Sequence, residues 1–299
     1  MNHEPVLLHE VVTGLDLKLG LTVLDATLGE GEHSRAIATA IGPTGRLIGL
    51  DADPEAIARA KANLNDLPGL KIFYQGNFRD LETHLSELDI DTIDRALFDL
   101  GLASSQLSDP RRGFSFQTDG PLLMTLTGEI TDGLNAARLV NELSAPQLTD
   151  LLTRYGEEGY ARRISEAIVT ARRRASILTT AALVAIIAQA VPPGYRRARR
   201  HFATKTFQAL RIAVNDELAI LPLGLAAAWR HLGPGGRLAV ISFHSLEARL
   251  VKECFRSWVG REEGELVTRH AVRPTRGEVL RNPRSRSATL RIISKLNQS

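Results

Sequence analysis

A chain of 299 residues with 43% hydrophobic and 24% charged side chains has the balance of a globular protein, enough for one α/β domain with an insertion, and this excludes a disordered or fibrous one. A single cysteine, Cys254, excludes an internal disulfide, and no Cys/His cluster has zinc spacing, so no metal is expected. The net charge of +3 conceals a segregation, because residues 1–110 hold 8 Lys and Arg against 18 Asp and Glu, while residues 111–299 hold 29 against 16. Such a division suggests that one part takes a small ligand and another meets a polyanion, unless Arg-rich helices simply carry solvated faces. The apolar stretches 180–191 and 218–229 are too short or too interrupted to span a bilayer. The first residues show no basic region followed by an apolar run. A cytoplasmic protein with no membrane partner is expected.

In chain order, strand and helix signals alternate through the first hundred residues. TVLDAT (22–27) ends in Gly-Glu-Gly, and helical spacing follows over 32–41. RLIGLD (46–51) is a second strand, after which Asp53-Pro54 opens a helix with a capping acid and a proline at its first position. Residues 71–75 and 93–100 read as two more strands, with a helix over 78–88 between them. Strands alternating with helices imply a parallel sheet with right-handed crossovers. From 108 to 206 the pattern gives only a long loop, 108–133, and helices over 134–143, 145–155, 157–174 and 179–191. A long amphipathic helix then precedes Gly233-Pro-Gly-Gly and a fifth strand, 237–243, and 265–275 with 287–295 reads as an antiparallel pair closing the sheet. The expected organisation is a sheet domain (1–107 and 207–299) interrupted by a helical insertion (108–206).

In open α/β sheets ligands bind beyond the carboxyl ends of the strands, near the switch in strand order. The first strand ends at Asp25 with Gly29 and Gly31 behind it, where backbone can approach a ligand closely. The second ends at Asp51, suitably placed to grip a ribose diol, the third leads to Asn77-Phe78, an aromatic face for adenine, and the fourth ends at Asp99. The glycine pair alone is equally a tight strand–helix turn. Ser34 replaces the third glycine of a dinucleotide fingerprint, and Asp25, Glu30 and Glu32 would repel a pyrophosphate but tolerate a sulfonium. The ligand inferred is S-adenosylmethionine in preference to a nicotinamide dinucleotide.

The blocks HEPVLLHEVV, LDATLGEGEHS, GLDADPEAI, FDLGLASSQL, RGFSFQTDGPLLM, YGEEGYARRI, RRHFATKTFQALRIAVNDEL, ISFHSLEARLVK and RNPRSRSATLRI resemble the ribosomal RNA small-subunit methyltransferase H family, nearly end to end. The resemblance implies a Rossmann-like class I methyltransferase sheet with an inserted all-helical substrate-recognition domain. It also implies methylation of a cytidine N4 in the ribosomal decoding region, with small-subunit RNA as partner and an oligomeric state left open, a homodimer among the options. It places cofactor contacts at Gly31, Glu32 and His33, at Asp51 on the ribose, at Phe78 by the base, and at Asp99 and Gln106 near the methionine end. The residues themselves had indicated Gly29, Gly31, Asp51, Phe78 and Asp99.

The chain departs from the family pattern at Glu32, where a glycine is usual, and within 102–106, which usually reads Val-Ser-Ser-Pro-Gln. Residues 121–127 lose two acids and an arginine at Leu123, Thr125 and Thr127. Phe202 replaces a proline, Lys205 an arginine and Ala248 an aspartate. These departures fall mostly on the expected substrate side, so a diverged relative methylating another acceptor, or a non-catalytic ribosome-binding factor, are the alternatives. A cytosine N4 is a poor nucleophile, helped by acceptors for its amine hydrogens and by alignment with an already activated methyl donor that needs no metal. Asp99 is the candidate catalytic group, and it equally suits the cofactor alone. His244 at the fifth strand's end either assists proton removal or orders the loop. Arg196, Arg197, Arg199, Arg200, His201 and Lys205 are the candidate RNA contacts, joined by the tail arginines 273, 276, 281, 284 and 286. Phe114 and Phe116 either stack on an unpaired base or pack in the core, and His3 and His9 are read as packing or capping groups.

Overall fold

A computed structural model describes residues 5–127 and 133–297. The chain forms two compact units, Met1–Leu102 with Leu218–Ser299, and Ala103–Glu217. The second unit thus takes in the helices Ser104–Ser108 and Thr204–Asn215, past the limits of 108 and 206 drawn from sequence.

The first unit is built on seven strands: β1 (Thr22–Asp25), β2 (Arg46–Asp51), β3 (Leu70–Gln75), β4 (Ile93–Asp99), β5 (Leu232–Ser242), β6 (Gly264–Leu266) and β7 (Thr289–Lys295). They form one sheet in the order β3-β2-β1-β4-β5-β7-β6, with β1 to β5 parallel and β7 antiparallel to both β5 and β6. This order, with a reversed last strand inserted beside the fifth, is that of Rossmann-like class I methyltransferases. Strands β1, β2 and β4 each carry a buried apolar run, residues 23–24, 47–50 and 96–98, because both of their faces are covered. Leu24, Ile48, Phe98 and Val240 face one core with Leu81, Leu85, Leu225, Phe255 and Trp258. Val23, Leu47, Leu97 and Ala239 face the other with Val11, Leu15, Ile37, Ile41 and Ile57. The crossover helices Glu32–Ile41 and Pro54–Asn63 cover this second face, the latter begun by Asp53, whose side chain accepts from the Glu55 N–H. Strand order reverses between β1 and β4, so the crevice that takes ligands in such sheets opens there.

Three expectations are corrected. β5 begins at Leu232, since pairing with β4 jumps from Ile93–Leu232 to Arg95–Arg237 and the Pro-Gly-Gly run bulges out within the strand. β6 has only three residues, after which Val272 alone bridges Leu290 and Arg276–Arg281 is helical. The long helix foreseen after Thr206 is two, Thr204–Asn215 and Glu217–His231, because Asp216 lies in the left-handed region at φ 55°.

The second unit holds the helices Ala136–Glu142, Ala145–Gly156, Ala161–Arg172 and Thr180–Ala190 besides those named. Its described residues contain no strand, only a bridge between Pro121 and Thr179. Leu148, Leu152, Ile164, Ile168, Leu183, Ile187 and Leu210 are fully buried among these helices. Glu157, expected as the start of a helix, is left-handed (φ 48°), so that helix begins at Ala161. The loop before the first long helix is fixed where described: Asn215 donates to the Met124 carbonyl (2.8 Å) and accepts from the Leu126 N–H (2.9 Å). A Cβ on Gly113 would lie 2.1 Å from the Pro121 carbonyl oxygen, so only glycine closes this turn. No single helix among the described residues is long and apolar enough to cross a membrane.

Candidate functional site

The first unit gathers carboxylates at the carboxyl ends of β1, β2 and β4. Asp25 is 1% exposed and accepts from the Ser34 hydroxyl (2.7 Å) and the Thr27 N–H (3.2 Å), and burial pushes its pKa up to about 6. Ser34 therefore ties the first crossover helix to the strand end, at the position where a dinucleotide fingerprint has its third glycine. Asp51 accepts from the Gly29 N–H at 2.8 Å and the Asp53 N–H at 2.9 Å, while burial raises its pKa. One carboxylate thus shapes the glycine loop and closes the second strand. Gly29 and Gly31 both have positive φ, 54° and 82°. Gly31 lies so close to the next crossover helix that a Cβ would meet Leu64 at 3.1 Å and Ala60 at 3.3 Å. Glu32 opens the helix behind it as the acid of its first turn.

Asp99 is the focus of this end. Its backbone N–H donates to the Thr27 hydroxyl (2.6 Å), fixing β4 against the loop after β1. Its Oδ2 lies 3.4 Å from His33 Nδ1, while Oδ1 is buried and has no hydrogen-bond partner. His33 Nε2 lies 3.0 Å from the Val6 carbonyl, which can only accept, so the ring proton of the neutral form sits on Nε2. The His33–Asp99 contact is then an imidazolium–carboxylate pair, or a hydrogen bond from protonated Asp99 to a neutral ring. Burial, reinforced by the negative charges of Asp25, Glu32 and Glu247, pushes the Asp99 pKa well above the usual carboxylate range. The site therefore has room for positive charge and an unmet acceptor in its wall.

Phe78 is half-buried, edge-on to Phe98 at 5.6 Å. It presses on Gly224, where a Cβ would come within 2.6 Å of its ring. His244 caps the helix Ser245–Gly260: Nδ1 accepts from the Glu247 N–H (3.2 Å), and Nε2 faces Glu247 Oε1 at 3.1 Å. Glu247 accepts from the His244 N–H at 3.2 Å, completing a capping box with histidine in the first position, and also from the Phe243 N–H at 2.7 Å. His244 thus orders the turn after β5 through Nδ1, while its buried Nε2 has no hydrogen-bond partner. Thr27 and Glu247 were not singled out from sequence, and Ser34 only as the residue in place of a third glycine, although Glu247 carried the signal of an acid three residues after a capping position.

Within the second unit, Gln106 is buried and its side-chain oxygen accepts from the Ala103 N–H (3.0 Å). Arg196, Arg197, Arg199 and Arg200 are exposed, and their side chains make no hydrogen bond or ion pair among the described residues. The segment that carries them is anchored by Tyr195, whose hydroxyl meets both oxygens of the buried Glu158, at 2.9 and 3.1 Å. Burial and this carboxylate push the Tyr195 pKa well above that of a free phenol. Lys205 differs from the arginines, since its ammonium donates to the Glu157 carbonyl (2.6 Å) at the end of a helix. Phe114 is core, whereas Phe116 is half-buried and stacks on His201. His9 is exposed, not packed, and His3 lies outside the described residues.

The model of the MraW methylase family matches residues 1–296 of this chain. Among curated relatives, the ribosomal RNA small subunit methyltransferase H of Thermomicrobium roseum is 47% identical over 98% of this chain and 94% of its own length. Proteins of the same name from Syntrophotalea carbinolica and Symbiobacterium thermophilum are each 43% identical, covering 98% and 99% of this chain and 98% and 97% of theirs. On these matches, the chain belongs to the MraW methylase family.

Proposed function

We propose that the protein methylates N4 of a cytidine in the decoding region of small-subunit ribosomal RNA, with S-adenosylmethionine as donor. As a methylase-family member on a class I fold, the chain is an S-adenosylmethionine-dependent methyltransferase. The first unit suits that cofactor: Asp25, Asp51 and Asp99 gather at the strand ends beside the glycine loop, and the partnerless Asp99 oxygen awaits a donor. Bound there, the cofactor supplies a methyl group on a sulfonium, activated for displacement. In this reading Asp51 takes the ribose hydroxyls, Phe78 flanks the base, and Gly29, Gly31, Glu32 and His33 form the loop around the donor. Asp99 presents Oδ1 to an N–H at the reaction centre, with its other oxygen and its orientation held by His33. His244 acts by ordering the turn after β5 through Glu247. The exposed arginines contact RNA phosphates.

The observation that carries the reading is the buried, unpaired Asp99 oxygen at the end of β4 in a chain of this family. The N4 and decoding-region detail rests on the sequence resemblance. The test incubates small ribosomal subunits lacking the modification with the protein and labelled cofactor, then maps the product by mass spectrometry. A methyl on a decoding-region cytidine N4 supports the proposal. Transfer to another atom, or none with cofactor bound, defeats it.

A further inference from the structure

The second unit carries a stack of aromatic rings that the methyl-transfer chemistry does not use. His201 lies 4.4 Å from Phe116 with the rings nearly parallel (7°), and 4.2 Å from Phe202 at 29°. Phe207, which is buried, meets Phe116 edge-on at 5.6 Å and seats the group on the helical core. His201 is exposed, and Phe116 and Phe202 are only half-buried. The His201 Nδ1 accepts from the Ala203 N–H (3.2 Å), which fixes the plane of the ring. Partial burial lowers its pKa, keeping the imidazole neutral near neutral pH, a flat π surface and not a cation. Immediately before it in the chain stand Arg196, Arg197, Arg199 and Arg200, exposed and unpaired among the described residues. Position 202 is one of the places where the sequence departs from the family pattern it resembles.

Rings of this kind left half in solvent lose contact with water at little conformational cost when another flat apolar surface covers them. Guanidinium groups without carboxylate partners suit phosphate oxygens. A π platform adjoining a phosphate-binding run matches the two halves of an unpaired nucleotide, base and backbone, and a base stacks on it whatever its identity. A duplex offers the phosphates but keeps its base faces covered.

We propose that Phe202 and His201, backed by Phe116, form a stacking platform for one unpaired nucleobase of the RNA, while the 196–200 arginines hold the phosphates beside it. This rests on the reading of the arginine run as an RNA contact. The platform adds binding that is indifferent to sequence but selective for single-stranded RNA.

The test measures binding of the full chain to a short single-stranded oligoadenylate and to an equally long strand of abasic ribose-phosphate spacers, each over a salt series. The unmodified protein should prefer the strand with bases by about tenfold. Phe202→Pro, which restores the family's residue, and Phe202→Ala should each remove most of that preference while leaving the salt dependence unchanged. Arg199→Ala should weaken both strands equally and shallow the salt dependence by about one unit of slope. Equal affinity for the two strands in the unmodified protein, or a preference that survives both Phe202 variants, overturns the platform. If Arg199→Ala changes neither affinity nor slope, the arginine reading itself fails and the platform with it. Because the abasic comparison is made on the unmodified protein, a misfolded variant cannot decide the outcome.

Discussion

The carboxylates at the end of the sheet and the arginines of the helical unit are opposite in more than sign. Asp25 and Asp51 accept hydrogen bonds from named donors, Asp99 is held through its own N–H on Thr27 and its carboxylate beside His33, and burial raises the pKa of each. Arg196, Arg197, Arg199 and Arg200 stand in solvent with no partner among the described residues. Enclosure fixes a charge in position at the expense of its ionisation, which suits a small cationic ligand that must be aligned to fractions of an ångström. Exposure keeps a charge fully ionised and mobile, which suits a polyanion whose phosphates vary in position. If this contrast is right, removing a charge in the first region alters chemistry and stability, and removing one in the second alters only binding.

The largest effect is expected at Asp99. Asp99→Asn keeps the shape and relieves a buried acid, so the fold should persist. Methyl transfer should fall about a thousandfold, within the range for losing a positioned proton acceptor. Affinity for S-adenosylmethionine, measured by calorimetry, should change less than about tenfold if Asp99 serves the acceptor. An equal fall in turnover and affinity would instead make it a cofactor-holding group.

Next comes the pH dependence at Asp25. Its folded pKa of about 6 stands above the ordinary 3.8, so the folded chain binds this proton more tightly than the unfolded chain does. The stability it contributes is complete below about pH 4 and is lost as pH rises through about 6, a decline of about 3 kcal/mol. Asp25→Asn should flatten that part of the curve in urea unfolding and retain an acceptor for Ser34. Parallel curves for the two proteins would show that Asp25 is not buried as a charge. Asp51 and Asp99 are shifted in the same direction, so the decline should be reduced rather than abolished.

Asp51→Ala removes the acceptor of two backbone N–H groups as well as the proposed ribose contact. Hydrogen bonds to a charged acceptor contribute about 1.5–3 kcal/mol each, so cofactor affinity should fall about 10- to 100-fold by calorimetry. An unchanged affinity would move the ribose away from β2.

Much of this was legible in the sequence, for reasons that differ by element. Strands β1, β2 and β4 were readable because a parallel strand covered on both faces carries an unbroken apolar run, and each ends in an aspartate. β5 was read short because Pro234-Gly235-Gly236 signals a turn in any sequence, and only the pairing with β4 shows it as a bulge. The break at Asp216 was hidden, since one left-handed residue leaves the apolar periodicity almost untouched. Asp51 and Asp99 were identified by position, but the bonds that tune them come from Thr27, Ser34 and His33, whose contacts depend on the fold. The basic run was legible as charge and not as partnership. Nothing local distinguishes Lys205, bound to a helix end, from the free arginines before it.

The smallest effect is the most discriminating. Arg199 is exposed and has no partner among the described residues, so Arg199→Ala should change unfolding stability by less than about 0.5 kcal/mol. The same substitution should reduce the salt dependence of RNA binding by about one unit of slope, because one fewer phosphate is neutralised. Arg162, by contrast, is paired through Nε with Glu166 at 2.9 Å, an exposed pair one helical turn apart. Arg162→Ala should then leave the slope unchanged, with at most a slight loss of stability. A chain in which both substitutions shift the slope equally would owe its RNA affinity to net charge alone. A shift confined to Arg199 means that the unpaired side chains, and not the basic composition of the unit, are what the RNA meets.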